Sequence, residues 1–122
     1  MLRKTKTWDV RCPEALAKLF PVRKGYYYKV TRDQAREIVK VLSDAYDVTP
    51  PKISDRQPKD CNGCYWLRER TIDVHGRGHM KTVFHEFYHH LDHVTGLYDS
   101  SDRKQLAWQF ADHMFNKFRV MR

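Results

Sequence analysis

Apolar residues along this chain fall at spacings that switch between the helical and the extended period, and the switches mark out the elements. Val83, Phe84, Phe87, Tyr88 and Leu91 recur at three- and four-residue steps, the stripe of a half-buried helix. Met80 to Thr95 is therefore expected to be helical, with Gly96 as its stop. A second stripe, Leu106, Ala107, Phe110, Ala111, Met114, Phe115 and Phe118, predicts a C-terminal helix with Ser100 or Ser101 available as N-cap after a loop at Leu97 to Ser101. Upstream, Ala35, Ile38, Val39, Leu42 and Ala45 follow a capping box that starts at Thr31 and closes at Gln34. That helix should end near Tyr46, since Pro50-Pro51 forbids its continuation. Pro13 to Phe20 reads as a short helix and Gly25 to Val30, with its aromatic and β-branched residues, as a strand.

The extended period appears between the second and third of these helices. Lys52 to Ser54 is a short strand candidate, and Gln57 to Gly63 is polar and turn-forming. Cys64 to Leu67 and Thr71 to Val74, joined through Arg68-Glu69-Arg70, read as a β-hairpin beside the Met80 to Thr95 helix. The expected fold class is α+β, with a short antiparallel or mixed sheet against two to three helices. At 122 residues the chain reads as one domain, 1–122, with no internal repeat.

Composition changes this picture little. Hydrophobic residues at 41% suit a globular core, and 31% charged residues make the chain polar without making it disordered. No stretch approaches a membrane span, and MLRKTKTWDV lacks the apolar run of a signal peptide. Three cysteines, Cys12, Cys61 and Cys64, argue against a disulfide framework, so a cytoplasmic, reducing setting is expected. The net charge of +8 favours acidic partners, nucleic acid among them, although the charges form no basic block.

Chemistry enters at His85-Glu86-Phe87-Tyr88-His89, an HExxH pattern inside the apolar-periodic helix. Residues four apart share a helix face, so His85 and His89 can aim ring nitrogens at one zinc ion. Glu86 then stands beside the metal, where a carboxylate can take a proton from the attacking water and deliver it to a leaving amine. This predicts a zinc-dependent metallopeptidase acting on a protein or peptide substrate.

A catalytic zinc wants a third protein ligand. Thr95 stands six residues after His89, where a metzincin would carry its third histidine, and Asp92 and His93 lie a further turn along the helix, past the metal's reach. No glutamate follows Glu86, so the ligand is sought among aspartates and histidines of the last helix. Asp102, one turn before Leu106, is the first choice, with His113 and Asp112 as alternatives. Tyr98 or His93 could polarise a carbonyl, while Tyr88 is expected to pack inward.

The segment from Gly63 to Ala111 resembles small HExxH peptidases of the gluzincin kind, such as minigluzincins and the ImmA/IrrE-like group. Gly63, Tyr65, Ile72 and Val74 match a strand pattern that precedes the motif helix, His85 to Leu91 match HEFxHHL, and Ala107-Trp108-Gln109-Phe110-Ala111 match a later A-x-x-F-A helix. The resemblance implies a small zincin-like domain, with zinc on His85 and His89, Glu86 as base, and Thr71 to Val74 as the edge along which an extended peptide lies. The family pattern also places a glutamate shortly before A-x-x-F-A, where this chain has Lys104, Gln105 and Leu106.

A rival constellation is Cys61-x-x-Cys64 followed by His75-x-x-x-His79, near the spacing of a two-Cys, two-His finger. It would make the chain a non-enzymatic, zinc-binding, nucleic-acid-associated protein. Against it, His75-Gly76-Arg77-Gly78-His79 is a poor helix, and the residues between Cys64 and His75 read as hairpin. A second, structural zinc at these four residues is thus the alternative expectation. Cys12 is read as a small buried residue, and Tyr26-Tyr27-Tyr28 as strand aromatics.

Overall fold

The computed structural model describes residue 11 and residues 13–19, 28–96 and 103–121. These form four helices and five short strands: α1 (Pro13–Leu19), β1 (Lys29–Val30), α2 (Arg32–Ala45), β2 (Lys52–Ile53), β3 (Gly63–Trp66), β4 (Thr71–Val74), β5 (Gly78–His79), α3 (Met80–Thr95) and α4 (Arg103–Met121). The α+β class expected from the pattern is what is found. The predicted loop at 97–101 with its serine cap, Cys12, and residues 25–27 of the expected first strand lie outside the described residues.

Local chemistry sets the element ends. The Thr31 hydroxyl accepts from the Gln34 amide at 3.1 Å, and the Thr31 amide donates to the Gln34 side chain at 2.9 Å, closing the capping box at the start of α2. His79 caps α3, its Nδ1 accepting from the Lys81 amide at 3.0 Å. Gly96 ends that helix in the left-handed region, φ 64°, and its amide donates to the Asp92 carbonyl at 2.8 Å. Only glycine takes that conformation without a Cβ penalty.

Helix α3 is buried nearly all round, because it lies between α4 and the sheet. Val83, Phe84, Phe87, Tyr88 and Leu91 join Ile38 and Leu42 of α2, Ile72 and Val74 of β4, and Phe110, Ala111, Met114 and Phe118 of α4 in one core. Two ion pairs fix the direction of α4: Arg103 meets Asp92 at 2.9 Å near the end of α3, and Asp112 meets Lys81 at 2.5 Å near its start. The two helices therefore run antiparallel, as the short connection between them requires.

The main sheet has the order β2-β4-β3. β2 is parallel to β4 and β3 antiparallel to it, with Gly63 opposite Val74 and Trp66 opposite Thr71. This corrects one expectation. Thr71–Val74 is the central strand, buried throughout and paired on both sides, so it cannot offer an edge to a peptide. The edges belong to β2 and β3, and β3 is the one that packs on α3 beside the motif. The reason is β2, whose two residues are too few for the sequence pattern to reveal that they flank β4.

On the outer side of the sheet Asp73 is buried but satisfied. It accepts from Ser54 Oγ at 2.5 Å and Trp66 Nε1 at 2.8 Å, and Arg56 lies 3.2 Å away. A buried carboxylate with this many donors locks the hairpin to the β2 turn.

Candidate metal centre

The helical repeat does at α3 what the spacing predicts. His85 Nε2 and His89 Nε2 stand 3.2 Å apart, their rings nearly perpendicular at 80°. Two nitrogens held about 2.0–2.1 Å from a tetrahedral zinc are separated by about 3.3–3.4 Å, so the pair fits a zinc ion without rearrangement. A Glu86 carboxylate oxygen lies 3.9 Å from His85 Nε2. Among the described residues, these three alone gather metal-ligating atoms within 4.8 Å of one another.

The environment keeps the pair in ligand form. Burial, then the neighbouring His89 and Lys104, push the His85 imidazole down to about 4, and burial with Arg103 and Lys104 lowers His89. Both rings are thus neutral at pH 7 and present lone pairs. Burial pushes the Glu86 carboxyl up to about 7, against a downward pull from Lys104. A carboxyl poised there matches a proton shuttle working near neutrality.

His85 Nδ1 has no hydrogen-bond partner among the described residues. Its ring is oriented by packing instead: Trp108 of α4 lies against it with ring centroids 4.1 Å apart, although Trp108 is 43% exposed. The three motif residues and Trp108 open on a cleft of about 840 Å³, walled on one side by Arg103 and Lys104 and on the other by residues 61–65.

Strand β3 reaches the motif helix through Gly63. A Cβ built there would lie 2.8 Å from Thr82 Cγ2 and 3.2 Å from Glu86 Cγ. The strand's approach to the carboxylate thus depends on the missing side chain. Gly63→Ala should lower the unfolding free energy by about 1–3 kcal/mol. Chemical denaturation of Gly63→Ala with and without Thr82→Ser checks this, because removing the nearest methyl should recover part of the loss.

Tyr65, two residues on, is tied to the same helix. His90 Nε2 faces the Thr49 carbonyl at 2.8 Å, which can only accept, so Nε2 carries the proton and Nδ1 accepts from the Tyr65 hydroxyl at 2.8 Å. The second histidine of the His89-His90 pair is therefore a neutral structural link between β3, α3 and the α2–β2 connection. Its partners come from segments 25 and 41 residues away, beyond what local spacing in the sequence can show.

The expected third ligands fare differently. Asp112 is exposed and paired with Lys81, and His113 is exposed with Nδ1 donating to the Gln109 carbonyl at 2.8 Å. Neither lines the cleft, because both lie on turns of α4 that pass the N-terminal half of α3 and face solvent. Asp102 and Tyr98 lie outside the described residues. Asp92 and His93 line the cleft without joining the close group, in keeping with their place a turn farther along. Of Lys104, Gln105 and Leu106, the residue on the cleft is Lys104.

The finger-like constellation is not assembled. His75 Nδ1 is engaged by Gln57, and His79 caps α3 with its ring against Phe115. Cys61 and Cys64 instead line the HExxH cleft, both as free thiols. Sequence spacing could not show this, since it counts residues along the hairpin and not across its strand pairing.

No helix among the described residues is long and apolar enough to cross a membrane. Comparison with protein-family models, with curated proteins and with solved structures gives no match.

Proposed function

We propose that this protein is a small zinc-dependent metallopeptidase with His85 and His89 as metal ligands and Glu86 as general base and acid. The observation that carries the reading is the pair of neutral imidazole nitrogens 3.2 Å apart with a buried carboxylate beside them on an open cleft. Zinc bound there supplies Lewis acidity, which makes water a usable nucleophile at neutral pH. Glu86 takes the proton from the attacking water and passes it to the leaving amine. Burial favours the protonated carboxyl that this second transfer requires. Trp108 keeps the His85 ring in place, and β3, an edge strand among the described residues, offers backbone groups to an extended peptide.

Elemental analysis of the purified protein tests the reading. About one zinc per chain is expected in wild type and in Glu86→Gln, and little in His85→Ala, because only the histidine supplies a metal bond. Full zinc content in His85→Ala would remove the HExxH pair as its holder.

A further inference from the structure

Two neutral imidazoles make a weak zinc site by themselves, and a catalytic site takes three protein ligands with a fourth position open. Asp112 and His113 are turned away, and the described α4 residues that line the cleft, Arg103, Lys104 and Trp108, are two cations and an indole. The other wall carries the two thiols. Cys64 is fixed in β3 opposite Asp73, on a strand held to α3 by the Gly63 contact and the Tyr65–His90 hydrogen bond. Cys61 is an exposed free thiol on the irregular segment just before that strand, and it lines the same cleft as His85 and His89.

We propose that Cys61 supplies the third protein ligand of the metal centre, its thiolate joining His85 and His89 across the cleft they share. The inference rests on the metal site proposed above. It includes a movement, since the sulfur is not part of the group gathered within 4.8 Å. Residues 59–62 carry no regular backbone ladder and are exposed, so a swing toward α3 breaks no sheet hydrogen bond. Zinc is borderline soft and favours thiolate sulfur, whose bonds of about 2.3 Å tolerate a wider approach than nitrogen's. Two imidazoles and one thiolate still leave a position for water, so Glu86 keeps its role. The Cys-x-x-Cys pair that looked like half of a separate finger would then belong to the HExxH site.

Cobalt(II) substitution in the full chain reads the ligands directly, without any substrate. Wild type should bind one cobalt with visible d–d bands and a near-ultraviolet thiolate-to-cobalt charge-transfer band of one-sulfur intensity. Cys61→Ser should lose the charge-transfer band, keep the d–d bands at higher metal concentration and bind at least tenfold more weakly. Cys64→Ser should keep the band, and His85→Ala should lose it. One bound cobalt with no sulfur band in wild type would overturn the thiolate ligand while leaving the histidine site standing. A band that survives His85→Ala, or disappears in Cys64→Ser alone, would also overturn it, and failure to bind cobalt at all would overturn the histidine site as well.

Discussion

Glu86→Gln is expected to stabilise the metal-free protein at pH 8 by roughly 2–3 kcal/mol and to add little at pH 5. The carboxyl is only 6% exposed, and burial raises it from an ordinary 4.5 to about 7. Below pH 4.5 the group is neutral in both the folded and the unfolded chain. As pH rises toward 7 the unfolded chain releases its proton first, so the folded state loses stability through that window and keeps the full loss above it. Glutamine has no charge to bury, so the variant escapes this loss. The lowered histidines act with the opposite sign at lower pH, but they are common to both proteins and cancel in the difference. Urea unfolding in the presence of chelator, at pH 5 and pH 8, measures it. A difference that stays flat with pH would mean that Glu86 is not a buried ionisable group. If the proposed peptidase reading holds, the same substitution should lower peptide hydrolysis about 10³-fold, since among the described residues Glu86 is the carboxyl that stands with the two histidines. A gain in stability with a loss of turnover is the mark of a residue kept for chemistry.

How much of this was legible in the sequence depends on the range over which each feature is determined. Helices α2, α3 and α4 were readable because caps and apolar stripes are local: Thr31 with Gln34, Gly96, and the run from Ala107 to Phe118 all act within a few residues. The His85/Glu86/His89 cluster was readable for the same reason, being geometry within one helix. The sheet order was not. Placing β4 in the centre takes the pairing of Ile53 with Ile72 and of Tyr65 with Ile72, contacts across separate segments that a two-residue strand barely advertises. Nor was the wall of the cleft. Trp108 on His85, Gly63 on Glu86 and the thiols beside them come from elements far apart in the chain, and their meeting depends on how α4 and β3 dock on α3. Of the third-ligand candidates, Asp102 lies outside the described residues, and the two alternatives, Asp112 and His113, miss the cleft because they flank the apolar stripe, where positions point to solvent as readily as to a site.

Lys104→Glu should tighten zinc binding by about tenfold or more, roughly 1.4 kcal/mol or above. Lys104 lies one helical turn before Trp108, so both side chains share the face of α4 that looks onto the motif, and both line the cleft. Its charge bears on His85, Glu86 and His89 alike. A divalent ion placed among those three meets the same ammonium, which opposes binding by simple Coulomb repulsion, weakened by the exposure of the lysine. Exchanging ammonium for carboxylate removes that repulsion and offers an oxygen ligand from the helix where the HExxH resemblance leads one to expect an acid. Lys104→Met separates the two effects, since it removes the charge without adding a ligand and should gain only severalfold. Competition with a calibrated zinc chelator at fixed pH and salt measures all three proteins. Equal affinities would show that position 104 does not face the metal. A gain in Lys104→Met as large as in Lys104→Glu would mean that charge alone limits the site. The proton balance should shift with it: Lys104 is the cation that pulls the Glu86 carboxyl down, so its removal should leave that group still harder to ionise in the metal-free protein. In the proposed metal site a lysine at this position would trade metal affinity for a more readily ionised base, and half-occupancy by zinc should need a higher free zinc concentration than in a site closed by an acid.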